Sequence, residues 1–173
     1  VLGEQGYDSS FVGKWHLDPQ AVGGDGDRPI SQGFGWFGGT MTNVDDYYAY
    51  DEYVDGTLQF NDTYILTAEI DRAVSRVGAM QEPWLLVVAL HSVHSPFQVP
   101  PAGLYEGPEP APDDIIAVGN AMVEAMDTEV GRLLAALPTE TTVVFMSDNG
   151  TDPEYVTEPF SPDRAKSTMF EGG

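Results

Sequence analysis

The 173-residue sequence contains no cysteine. Disulfides, zinc–thiolate sites and a cysteine nucleophile are therefore excluded within these residues. Basic residues are also scarce. Seven lysines and arginines stand against 28 aspartates and glutamates, for a net charge of −21. Such a chain is a poor partner for nucleic acid or for an acidic membrane surface. No apolar run is long enough to span a bilayer, and these residues carry no signal-peptide pattern. The acidic, lysine-poor composition fits a high-salt setting, where self-repulsion is screened. Only two lysines, Lys14 and Lys166, and three histidines, His16, His91 and His94, are present. On a surface that avoids lysine, each is a candidate for a specific task.

What is present is a globular composition, 42% hydrophobic, of a size for one domain or a piece of one. The chain opens on what reads as the end of a helix (Val1 to Tyr7) and closes on the turn Glu171-Gly172-Gly173, so both ends read as cut from something longer. Ser9 to Val12 is a short strand-like run. From Asp18 to Gly56 the pattern dissolves into glycine, proline, aspartate and tyrosine, expected as long loops or pocket walls. Its acidic pairs, Asp45-Asp46 and Asp51-Glu52, suit either a second cation or a solvated surface. Asn61 to Met80 reads as a helix, with Leu66, Ile70, Ala73, Val74 and Val77 at helical spacing and Asn61, Asp62 or Thr63 as its cap. Trp84 to Leu90 reads as a buried strand. A proline-rich crossing, Gln98 to Pro112, leads to a helix over Asp113–Leu137. Its apolar stripe is Ile115, Val118, Met122, Met126, Val130, Leu133 and Leu137, with Glu124, Asp127 and Glu129 on the wet face. Thr142 to Met146 is β-branched and aromatic and reads as a fully buried strand. The alternation of strands and helices predicts an α/β fold with parallel pairing.

Polar chemistry clusters where these runs end. Strand carboxyl ends are where open α/β sheets bind ligands. After the first run comes Gly13-Lys14-Trp15-His16-Leu17. Lys14 and His16 share a face if the segment is extended, and a packed Trp15 would hold them there; the alternative is an edge strand with a polar outer face. After Trp84–Leu90 comes His91-Ser92-Val93-His94-Ser95-Pro96, where a histidine either packs or caps, or serves a pocket. After Thr142–Met146 comes Ser147-Asp148-Asn149-Gly150. Asp148 and Asn149 offer two hard oxygen donors suited to Ca²⁺ or Mg²⁺, or else they form an Asx-type turn. A second irregular loop, Thr151 to Arg164, delivers Lys166. Together Lys14, His16, His94, Asp148, Asn149 and Lys166 suggest recognition of a tetrahedral oxyanion by a divalent cation, two ammonium groups and imidazoles.

These segments resemble, in order, the motifs of the sulfatase family of the alkaline-phosphatase-like superfamily. Gly6-Tyr7 with Gly13-Lys14-Trp15-His16-Leu17 resembles its G-Y-x-T-x-x-x-G-K-W-H-L-G motif. Val87 to Pro100 resembles its strand ending in A-P-H-x-P-x-x-x-P. Ala121 to Leu137 is similar to its A-M-I-E-x-x-D-x-x-V-G-x-x-L helix, Ser147 to Gly150 to its S-D-N-G loop, and Lys166 to Gly173 to its G-K-x-x-x-x-E-G-G segment. The resemblance implies an alkaline-phosphatase-like, mostly parallel sheet flanked by helices, and hydrolysis of a small-molecule or glycan sulfate ester. It implies a formylglycine nucleophile, made from Cys or Ser, and calcium in preference to magnesium. Asp148 and Asn149 would be two calcium ligands. Lys14 would steady the nucleophile and a sulfate oxygen, and His16 would be the base that later collapses the sulfated diol. His94 and Lys166 would face the sulfate ester and its leaving oxygen. Export to the periplasm or the cell exterior is a further family expectation. Oligomeric state is left open.

The departures are Asp18 in place of Gly, Val93 in place of Pro, and Ser9 at the Thr-like position. The family's first metal-binding aspartates and its Cys-x-Pro/Ala-x-Arg nucleophile motif have no counterpart in residues 1–173, nor does its C-terminal subdomain. The expectation is a partial catalytic domain that alone turns over no sulfate ester. A related phosphate- or phosphonate-ester hydrolase, or a non-catalytic remnant that only binds an oxyanion, are the alternatives.

Overall fold

The computed structural model describes residues 2–17, 26–152, 155–159 and 165–166. Asp18 and the Glu171-Gly172-Gly173 segment lie outside them. The chain forms two compact units, residues 1–137 and 138–173.

The first unit is built on a five-stranded sheet. β1 (Asp8–Gly13) lies between β2 (Trp36–Gly39) and β5 (Trp84–Ala89) and runs parallel to both. β3 (Tyr50–Val54) pairs antiparallel with β2, and β4 (Thr57–Asn61) antiparallel with β3. The order is β4-β3-β2-β1-β5. The α/β class stands, with two parallel and two antiparallel ladders among the described residues.

The stretch expected as loop over Asp18–Gly56 therefore holds β2, β3 and a short helix, α1 (Arg28–Ser31). The β3–β4 hairpin turns on Asp55 (φ 49°) and Gly56 (φ 77°). Two successive left-handed residues match the strands' twist, and Asp-Gly is the dipeptide that adopts them most readily. β4 also takes Asn61, which was expected in the next helix. α2 begins only at Ile65 and runs to Ala79, with Tyr64 at its N-cap making no side-chain cap bond. The Asn61 side chain accepts from Thr63 N instead.

α2 packs on the sheet, and α3 (Ile115–Ala136) packs on α2. Asp114 caps α3 by accepting from Ala117 N at 3.0 Å. Ser10 accepts from Arg76 of α2, so its neighbour Phe11 faces the other side of the sheet. One core joins Tyr47, Tyr64, Ile65 and Leu66 to Val118, Met122 and Ala125. The other is aromatic: Phe11, Trp15 and Phe37 with Met41. β1 is buried on both faces, as a central parallel strand should be. β5, expected as a buried strand, is half-buried throughout and pairs on one side only among the described residues.

Two further expectations are corrected. Glu129 is not on a wet face but is 2% exposed. It follows Met122 by seven residues and Ala125 by four, which places it on the packed stripe. Thr67 Oγ1 of α2 donates to it at 2.6 Å, and Arg132 Nε at 2.8 Å. Second, Thr142–Met146 is not a strand among the described residues, and Val144, Phe145 and Met146 are exposed. β-propensity reports fit to a pleated, half-buried surface, and here no such pairing forms.

Candidate active site

The sequence turns sharply as β1 ends. Gly13 has φ +97°, and a Cβ there would lie 2.1 Å from Ala89 O and 3.1 Å from Glu69 Oε1. Only glycine fits this close approach to the Ala89 backbone and the Glu69 carboxyl group. Lys14 N donates to Ala89 O at 2.9 Å, extending the pairing with β5. The chain then switches partners: Trp15 N donates to Thr40 O and His16 N to Met41 O, both in the segment after β2. Trp15 is buried edge-on against Phe11, with ring centroids 5.1 Å apart, and against Phe34. This is the anchor that the sequence suggested. Lys14 is half-buried and His16 exposed on either side of it. His16 is in the left-handed region at φ 42°, a cost of about 1–3 kcal/mol that persists only where the surroundings impose it.

The segment after β5 meets the same place. β1 and β5 are parallel, so their carboxyl ends lie together and bring His91 and His94 toward Lys14 and His16. Partial desolvation holds the His16 pKa below its ordinary 6.5, assisted by the positive charges of Lys14, His94 and His91. His16 therefore stands close enough to Lys14, His94 and His91 to feel their charge. His94 is half-buried, and its Nδ1 lies 2.8 Å from Ser95 O. That contact makes Nδ1 a donor and leaves Nε2 as the reactive nitrogen.

His91 is different. It is 3% exposed, with Nδ1 2.5 Å from Glu69 Oε1 and Nε2 2.9 Å from Thr40 Oγ1. The Tyr47 hydroxyl donates to the carbonyls of His91, at 2.9 Å, and His94, at 2.7 Å. Burial, then the nearby Glu69 carboxylate, raises the Tyr47 pKa and keeps the phenol a donor. Sequence reasoning missed Glu69, Thr40 and Tyr47. The signal for Glu69 was available: a carboxylate between Leu66, Ile70 and Ala73 on the apolar stripe of α2 must find a buried partner.

In the second unit Ser147 Oγ donates to Asn149 O at 2.5 Å, closing the bend that presents an exposed Asp148 and a half-buried Asn149. Lys166 N donates to Thr151 O at 2.8 Å, which ties this lysine to the segment just after Asn149-Gly150. Hard oxygens are the donor chemistry of calcium. Among the described residues no group of three or more acidic or histidine side chains could hold a metal by itself. Asp148 and Asn149 therefore fit part of a ligand set. Also among the described residues, no helix is long and apolar enough to cross a membrane.

Comparison with known proteins extends this geometry. The chain is 27% identical to mouse arylsulfatase J over 99% of its own length and 32% of the mouse protein, so it spans about a third of that relative. A Bacteroides fragilis protein assigned as a sulfatase, yidJ, superposes with a TM-score of 0.63 at 19% identity, over 79% of this chain and 38% of that one. A Bacteroides thetaiotaomicron protein from a core genetic locus for metabolism of multiple glycosaminoglycans gives 0.55 at 17% identity, over 77% and 36%. At these identities the two solved structures speak for the fold. The sulfatase family model matches residues 1–171, so the chain belongs to the sulfatase family.

Proposed function

We propose that the chain supplies the sulfate-binding and proton-handling part of a sulfuric ester hydrolase. The observation that carries this reading is the meeting of Lys14, His16 and His94 at the adjoining carboxyl ends of β1 and β5 in a sulfatase-family chain. The Lys14 ammonium would bind a sulfate oxygen and offset charge that builds up in the transition state. His16, held neutral near neutral pH, would accept a proton. His94, with Nδ1 committed to Ser95 O, would in its protonated form donate from Nε2 to the leaving ester oxygen. On family grounds Lys166 would serve as a further sulfate-binding lysine.

Asp148 and Asn149 would contribute to holding calcium, which when bound polarises the sulfate oxygens. The family nucleophile, a formylglycine, has no counterpart in these residues, and the 173-residue chain alone is expected to bind sulfate loosely and turn none over. The relative associated with glycosaminoglycan metabolism makes a sulfated glycan a natural candidate substrate beside small aryl sulfates. Export from the cytoplasm is proposed on family grounds.

The test is hydrolysis of a chromogenic aryl sulfate and of the matching aryl phosphate by the protein expressed from its full reading frame with calcium. Preference for the sulfate is expected. Preference for the phosphate would transfer the site to phosphate-ester hydrolysis. Binding of sulfate without turnover of either ester would leave an oxyanion-binding remnant.

A further inference from the structure

We propose that the buried Glu69–His91 pair is the positioning element that locks the Lys14–His16 turn and the His94 loop into one arrangement. The proposal rests on the sulfatase reading for its function and on hydrogen-bond geometry for its structure. Thr40 Oγ1 has one hydrogen, and it donates to Thr42 O at 2.7 Å. Toward His91 Nε2, 2.9 Å away, it is therefore the acceptor, and Nε2 carries a proton. On the other side of the ring Nδ1 meets the Glu69 carboxylate at 2.5 Å, and Glu69 Oε2 also accepts from His91 N at 3.3 Å. The ring is thus hydrogen-bonded at both nitrogens, with one proton held between Nδ1 and the Glu69 carboxyl group, and both partners are almost fully buried.

Each end of this pair holds a piece of the site. The Thr40 end accepts Trp15 N through its carbonyl, and the next residue, Met41, accepts His16 N. The Glu69 end lies against Gly13, the residue before Lys14. His91 itself begins the loop that carries His94, and the Tyr47 hydroxyl clasps the two carbonyls of that loop. Titratable groups that face the pair are Tyr47, Tyr50 and Tyr64 on the Glu69 side and His16 on the His91 side. An apolar side chain at position 91 would fill the space but hold neither end, whereas the ring hydrogen-bonded at both nitrogens fixes an angle at each.

The protein has three histidines, so its imidazole resonances are few enough to follow individually. The experiment compares wild type, His91→Gln and Thr40→Val from the full reading frame, by ¹⁵N imidazole titration and by steady-state kinetics on an aryl sulfate. His91→Gln is expected to raise the His16 midpoint, shift the His94 signals, and lower kcat about tenfold with KM little changed, as for loss of orientation rather than of binding. Thr40→Val cuts only the Oγ1 link and is expected to move the same signals in the same direction by less. It decides the matter if His91→Gln does not fold. An unmoved His16 midpoint with unmoved His94 signals in the folded variants overturns the proposal, whatever their melting temperatures, and so does an unchanged kcat. If wild type hydrolyses no sulfate ester, the sulfatase reading fails, and the titrations still decide the positioning role.

Discussion

The hydroxyl of Tyr47 donates to the backbone carbonyl of His94 at 2.7 Å, and shares its proton with the carbonyl of His91. A side chain 1% exposed thus holds the backbone of a loop that presents a half-buried histidine. Tyr47→Phe leaves both carbonyls without this donor at unchanged volume. The expected cost is about 1–3 kcal/mol, read as a lowered thermal midpoint. Amide exchange across residues 92–96 should accelerate, and unchanged exchange there would show that the loop is held by other contacts.

Glu52 is 1% exposed and ion-paired to Arg72, with Gln59 and Asn61 donating to the same carboxylate oxygen. Arg72→Met removes the charge that compensates a buried carboxylate. A loss of about 3–5 kcal/mol is expected, measured by denaturant unfolding. The double variant Arg72→Met/Glu52→Gln should recover much of it, because no charge then remains buried without its partner.

For His16 the sign is fixed by its lowered pKa. Between the folded value and the ordinary 6.5 the unfolded chain binds the extra proton, so stability rises with pH in that window. The contribution is fully present above 6.5 and is lost as pH falls through the folded value. His16→Gln should flatten this part of the stability–pH curve. Lys14→Met should raise the His16 midpoint in an imidazole titration, by removal of the second-largest cause of the shift.

Salt should stabilise the chain. With a net charge of −21, like-charge repulsion acts across the surface, and a Debye length of about 10 Å at 0.1 M shrinks to about 3 Å at 1 M. The melting temperature is expected to climb across that range, and a flat or falling response would remove the high-salt reading of the composition.

How far the sequence foretold this structure varies by element. β1, β5 and both long helices were legible because apolar periodicity is a direct image of burial. The β3–β4 hairpin was hidden by its composition: Tyr50-Asp51-Glu52-Tyr53 reads as polar surface, yet Glu52 points inward because Arg72 waits there. The Asp55-Gly56 turn was the available signal. Thr142–Met146 erred the other way, since four β-formers and a methionine state only a preference, and pairing depends on a neighbour. At the site, Lys14, His16 and His94 could be picked out by scarcity and by place at strand ends. Their supports could not, because Glu69, Thr40 and Tyr47 are ordinary residues whose role exists only once three distant segments meet.

The most direct measurement is aryl sulfate turnover by the protein from its full reading frame, with calcium, as wild type, Lys14→Ala and His94→Ala. The two variants should retain the wild-type melting temperature within a few degrees and lose about 10²-fold or more in kcat/KM, the scale seen when a transition-state charge partner or proton donor is removed. Wild-type turnover that persists in both variants would contradict the placement of the chemistry at the joined ends of β1 and β5.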